Sequence, residues 1–225
     1  MTRIFIARHG NTFRPEDTPL RVGARTDLPL VPSGLRQGAA LGLYLRENNI
    51  KMDLVFSGPL KRAQETANQA LEFAGQQQQI IIDDSFNEID YGPDEGKVEE
   101  DVIARIGADA IKKWDSDAIV PEGWQVIPDQ MIQDWLQFAE KCKRDFQGQN
   151  ILVVTSNGTA RFAPYLTGDY ETFCKNHKIK LSTGALGCFV LEDDKWRCEY
   201  WNIKPIDWLE DYNITPPDIS EFEAA

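Results

Sequence analysis

Residues 4–12 read IFIARHGNT, and residues 151–159 read ILVVTSNGT. Each is a β-branched apolar run that stops abruptly in polar residues and a glycine, the pattern of a buried strand delivering side chains to a sheet edge. DLVFSG (53–58) and QIIIDD (79–84) predict two further strands. SGLRQGAALGLYLRENN predicts a helix opened by Ser33 as N-cap. LKRAQETANQALEFAG predicts another, ending at Gly75, and DQMIQDWLQFAEKCKRDF a third, with Met131, Trp135, Phe138 and Cys142 at helical spacing. The span 86–128 is loop-rich and is expected to hold a helix around 99–114. A further helix is expected from about Thr159, and GALGCFVLEDDKWRCEYWN reads as two strands turning at Asp193–Asp194. Strands alternating with helices predict an α/β fold, a three-layer sandwich around a largely parallel sheet. Ligands of such folds bind beyond the carboxyl ends of the strands. RHG, SGPLKR and TSNG are therefore expected to meet at one edge.

The 225 residues suit a single domain, with no repeat or linker dividing them. An acidic, loosely packed tail is expected from about 209 to 225. The net charge of −12 argues against nucleic acid and against anionic membranes, both polyanions. A negative chain that binds phosphate must concentrate arginines locally. No run of about 18–20 apolar residues predicts a membrane span. The stretch MTRIFIARHG is too short and too soon polar for a signal peptide. Cys142, Cys174, Cys188 and Cys198 form no metal-ligand spacing, and His9 and His177 are the only histidines. The expectation is reduced thiols in a cytoplasmic protein, without a metal or cofactor. Oligomeric state is not legible.

Arg8, His9 and Gly10 alone make a weak signal. Two features strengthen it. Arg62 falls in the first turn of a helix directly after a strand, where free N–H groups favour an anion. Glu88, between Phe86 and Ile89 in FNEIDYGPDEG, is a carboxylate among apolar neighbours, with Asp90 as its rival.

With these residues in hand, the chain resembles the histidine phosphatase superfamily, the phosphoglycerate-mutase-like proteins. ARHGNT resembles the family's RHG-x-[ST] opening, GARTDLPLVPSGLRQGAALG its G…D-x-PL segment, and VFSGPLKRAQETA its SPL-x-RA-x-x-TA segment. FNEIDYGPDEG resembles its E-x-x-G-x-x-EG loop, and PEGWQV loosely its GES element. ILVVTSNGTARF resembles its V-x-V-S-H-G-G-x-x-R strand and helix. The resemblance implies that His9 is a phosphoryl acceptor and Glu88 a general acid and base. It also implies that Arg8 and Arg62 hold the phosphoryl oxygens, with Thr12 touching the phosphate or only the loop backbone. Arginines supply the positive charge, so no metal is expected. The partner is a small phosphoester or inorganic phosphate.

The pattern departs in two places. The family's second histidine falls on Ser156, or on Asn157 with a one-residue shift. Pro15 stands where an asparagine often follows the nucleophile. Losing one preorganised donor at such a site is worth about 3–4 kcal/mol, roughly 100- to 1,000-fold in rate. Serine or asparagine can return part of it as a neutral hydrogen bond. His177, beside KLSTG, reads first as a solvated helix end and second as an intruder at the site. The favoured function is a phosphomonoesterase of reduced or specialised activity. The alternative is a catalytically silent relative that binds a phosphorylated ligand or protein, and a phosphoglycerate mutase is less favoured. The segment 97–128, with Trp114 and Trp124, is expected to wall the site and to suit a small or partly apolar phosphoester.

Overall fold

A computed structural model describes residues 1–218 and 220–223. Its centre is a six-stranded sheet of β1 (Arg3–Arg8), β2 (Leu54–Ser57), β3 (Ile80–Ile82), β4 (Asn150–Thr155), β5 (Leu186–Glu192) and β6 (Lys195–Ile203), ordered β3-β2-β4-β1-β5-β6. β1, β2, β3 and β4 run parallel, while β5 and β6 form an antiparallel hairpin against β1. The two quoted stretches lie side by side, with Ile4 opposite Ile151 and Arg8 opposite Thr155. In-register parallel pairing is what makes both strands deliver their polar ends to the same edge.

Side chains of a strand alternate between faces, and both faces of this sheet are covered. Phe5, Ala7, Val55, Leu152 and Val154 meet Leu41, Leu45, Ala63, Ala67 and Ala70 from α1 (Pro32–Glu47) and α2 (Lys61–Ala74). Ile4, Ile6, Phe56, Ile151 and Val153 share the opposite core with Trp114, Trp135, Phe138 and Phe162. That layer includes α3 (Glu99–Ile106), α4 (Ala108–Asp117), α5 (Pro128–Asp145), α6 (Asn157–Ala160) and α7 (Tyr170–Asn176). The three-layer α/β sandwich expected from the alternation of elements is the observed architecture.

Local readings differ in several places. Helix α1 is capped at Val31 with Pro32 in its first turn, not at Ser33, because proline's fixed φ suits that position. The helix expected over 99–114 is two helices, broken at Gly107, whose φ of 83° leaves the helical region. The helix expected after β4 is a single turn running into a 3₁₀ segment over Ala163–Thr167.

After β6 comes α8 (Pro205–Asp211), then α9 (Ser220–Glu223). Leu209 is fully buried in a cluster with Ala40 and Leu43, with Ile214 packed against it, and Arg36 Nε donates to the Pro217 carbonyl at 2.9 Å. Leu209, Ile214 and Pro217 of the tail thus meet α1, while residues 210–213 and 215 are exposed. Residues 219, 224 and 225 of the tail expected to pack loosely lie outside the described residues.

Candidate active site

The carboxyl ends of β1, β2 and β4 open into a cavity of about 760 Å³. Arg8, His9, Thr12, Arg62, Glu88 and Asn157 all line it, so four separate segments of chain converge as the strand ends implied.

His9 follows the last residue of β1, and its N–H donates to the Thr155 carbonyl at 2.9 Å, tying the ends of β1 and β4. Its Nδ1 lies 2.7 Å from the Gly10 carbonyl oxygen. A carbonyl only accepts, so Nδ1 carries the proton and the Nε2 lone pair is left for a ligand. Burial, then the charges of Arg8 and Arg62, hold the imidazole pKa well below its usual 6.5. The ring is held in its neutral form. Gly10 is required here because a Cβ would collide with the Gly34 backbone at the start of α1. Its N–H donates to Thr66 Oγ1 at 3.0 Å, and that hydroxyl donates to the Arg62 carbonyl at 2.7 Å.

Arg62 is 0% exposed in the first turn of α2. Its Nη1 donates to the Thr26 carbonyl at 2.7 Å and its Nη2 to that of Gly23 at 3.2 Å. Arg8 Nη1 donates to the Leu181 carbonyl at 2.8 Å. The Nε of each arginine has no partner among the described residues. Both guanidiniums are oriented by main-chain carbonyls and not neutralised by carboxylates in contact, which suits them to hold an oxyanion.

Glu88 is 8% exposed. Its Oε1 accepts from the Ile89 N–H at 2.9 Å. Burial raises its pKa above 4.5, against the opposing pull of Arg62, the Ile89 hydrogen bond, Arg8 and Arg161. A Cβ at position 158 would meet Glu88 Oε1 and come within 2.6 Å of Ile89 Cγ1, so Gly158 is what lets this carboxyl lie against α6. Asp90 turns away: it accepts from the Gly92 N–H at 2.7 Å and faces Arg25 at 3.2 Å.

The Ser156–Asn157 alternative divides sharply. Ser156 is 1% exposed, makes no side-chain cap to α6, and does not border the cavity. Asn157 does border it, and its Oδ1 accepts from the Leu181 N–H at 3.0 Å. The amide is thereby fixed with Oδ1 toward Leu181, leaving Nδ2 as the group free to donate. Leu181 thus holds Asn157 through its N–H and Arg8 through its carbonyl. Pro15 lines the cavity as part of the loop after His9. His177 does not; its ring lies against Phe173 at 4.9 Å.

Sequence reasoning passed over Tyr91, Arg21, Arg161 and Lys180, all in the cavity wall. Tyr91 is 6% exposed, its hydroxyl pKa raised by burial and by Glu88. The wall expected from 97–128 supplies Glu99, Trp114 and Asp115, while Trp124 is buried edge-on against Trp114 at 5.3 Å. The arginine of TSNGTAR was in plain view within the resembling segment; nothing local to it signalled that it is buried.

The class of fold is that of the histidine phosphatase structures. An alpha-ribazole phosphatase from Shigella flexneri superposes with a TM-score of 0.68 at 22% identity, covering 90% of this chain and 96% of the other. A phosphoserine phosphatase from Entamoeba histolytica, solved with 3-phosphoglyceric acid, gives 0.71 at 19% identity, covering 90% and 98%. The chain belongs to the histidine phosphatase superfamily (branch 1), whose family model matches residues 4–204. Relatives in sequence include the 2,3-bisphosphoglycerate-dependent phosphoglycerate mutase of Sinorhizobium fredii (strain NBRC 101917 / NGR234), 30% identical over 75% of this chain and 81% of its own length. That of Mesorhizobium japonicum (strain LMG 29417 / CECT 9101 / MAFF 303099) is 25% identical over 75% and 82%. Among the described residues no helix is long and apolar enough to cross a membrane.

Proposed function

We propose that the protein hydrolyses phosphomonoesters of small metabolites through a phosphohistidine on His9. The observation that carries this reading is a buried, neutral imidazole whose Nδ1 proton is held by a carbonyl, beside two arginines that carbonyls orient. His9 Nε2 attacks phosphorus as the ester P–O bond breaks, and the Glu88 carboxyl gives its proton to the leaving oxygen. The Glu88 carboxylate then takes a proton from water, whose oxygen attacks the phosphohistidine. Inorganic phosphate leaves, and His9 and Glu88 return to their starting forms. Arg8, Arg62 and the Asn157 amide hold the non-bridging oxygens throughout, offsetting charge that an acidic chain otherwise repels. Thr12 borders the same cavity and contributes a hydroxyl at its mouth. No step calls for a metal.

The decisive experiment is intact-mass analysis after incubation with a labile phosphodonor. An acid-labile adduct of one phosphate is expected in wild type and absent in His9→Ala. An adduct that persists in His9→Ala removes His9 from the role. The mutase names of the sequence relatives favour a second reading, phosphoryl transfer to another hydroxyl. It predicts phosphorylated product accumulating with acceptor alcohol, where the hydrolase reading predicts free phosphate.

A further inference from the structure

Arg105 and Arg161, the first outside the cavity and the second in its wall, are built in opposite ways. Arg105 forms a closed fork with the buried Asp94, its Nε donating to Oδ1 at 2.6 Å and its Nη2 to Oδ2. That pair is neutral and structural. Arg161 is 1% exposed, yet its nearest carboxylate, Asp115, makes one contact at 3.5 Å. Asp115 is 40% exposed and its other oxygen is shared with Lys180, also at 3.5 Å. One half-solvated acid between two cations leaves net positive charge at that wall.

Arginine cannot shed its charge by deprotonation. The guanidinium lies 4.0 Å over the Trp114 ring, and donates to the Trp114 carbonyl and weakly to that of Asn157 at 3.4 Å. These contacts orient the group but do not neutralise it, the one half-exposed Asp115 contact compensates it only in part, and an undercompensated buried charge is costly. Arg161, Trp114, Asp115 and Lys180 all face the cavity that holds His9 and Arg62. The Arg161 charge also reaches the Glu88 carboxyl, the Tyr91 hydroxyl and Arg8. Arg161 and the proposed acid Glu88 thus line the same cavity, where a leaving group could meet both.

We propose that Arg161, on its Trp114 platform with Lys180 beside it, is a second anion-recognition site that selects phosphoesters whose leaving group itself carries an anion, a carboxylate or a second phosphate. This rests on the phosphatase reading of the cavity and runs against the expectation that the wall favours a small or partly apolar ester. Trp114 offers its face to Arg161, not a greasy surface to the substrate.

The test uses two non-hydrolysable probes of one chain length, 3-phosphonopropionate and propylphosphonate, which differ in the terminal carboxylate. Calorimetry should give wild type a tenfold or greater preference for the carboxylate-bearing probe. Arg161→Met should bind both within twofold while keeping its vanadate affinity. Asp115→Asn, a change at a half-exposed position, should widen the wild-type preference and decides the matter if Arg161→Met does not fold. Vanadate binding without discrimination between the phosphonates overturns the Arg161 assignment, as does discrimination that survives in Arg161→Met. Failure of wild type to bind vanadate or either phosphonate overturns the phosphate-site reading, and this proposal with it.

Discussion

Asn157→Asp exchanges one amide NH2 for an oxygen and changes little else. The Oδ1 that accepts from the Leu181 N–H at 3.0 Å survives, so the side chain keeps its anchor and its direction. What changes is the group at the proposed phosphoryl position, from a donor to a negative acceptor. Removing one preorganised donor at such a site is worth about 3–4 kcal/mol. Two like charges about 4 Å apart repel by about 4 kcal/mol at an effective dielectric of about 20. The first effect alone predicts a loss of roughly 100- to 1,000-fold in kcat; with the second, kcat/KM should fall by 1,000-fold or more. The assay is phosphate release from an aryl phosphate, with melting temperature and vanadate affinity measured on the same preparation. Vanadate binding should be lost while the fold persists. A folded Asn157→Asp enzyme within threefold of wild type refutes the assignment of Nδ2 to the phosphate. Ser156→His, the change the sequence alone recommends, should give no gain in rate. Position 156 is enclosed and does not border the cavity, so a bulkier ring there should destabilise by about 1–3 kcal/mol.

In wild type, vanadate at 100 times its Kd should stabilise the fold by about 2.7 kcal/mol, and Arg62→Ala should abolish most of that shift. Because Arg62 is fully buried and serves two carbonyls, the variant should also lose stability without ligand, by about 1–3 kcal/mol. With His9 titrating well below 6.5 and Glu88 above 4.5, kcat/KM should hold at acid pH and fall as rising pH deprotonates Glu88, and the residual activity of Glu88→Gln should lack that alkaline limb. The raised Glu88 pKa adds stability only below 4.5, lost as pH rises through the folded value, so Glu88→Gln should raise the melting temperature at neutral pH relative to acid. Gly158→Ala should push the Glu88 carboxyl from its place, lowering kcat by about 100-fold or more with vanadate affinity retained.

The strands and the convergence of their ends were legible because parallel strands in an α/β sheet write their burial as unbroken apolar runs, which IFIA and ILVV are. His9 and Arg62 stood out by position at strand and helix ends and Glu88 as a carboxylate between apolar neighbours, and all three border the cavity. The Ser156–Asn157 choice was not legible. It depends on which of two adjacent residues the start of α6 turns toward the cavity. The burial of Arg161 was illegible for a different reason. A charged residue is buried only by partners remote in sequence, here Trp114 and Asp115, and no local pattern announces them. The burial of Leu209 was likewise illegible: an acidic, proline-bearing tail reads as solvated, and Ala40 and Leu43 of α1 cover this one residue of it.

The double anchorage through Leu181 bears on how this site tolerates mutation. Arg8 and Asn157 are both fixed by atoms of the Leu181 main chain, which every residue except proline supplies in full. Substituting the side chain at 181 should thus trouble the core but leave the clamp intact. Shortening or lengthening the segment between α7 and β5 by one residue would move both anchors together. The site is robust to changes of letter there and fragile to changes of length, so a single-residue deletion scan across 177–185 should show activity collapsing where alanine substitution barely registers.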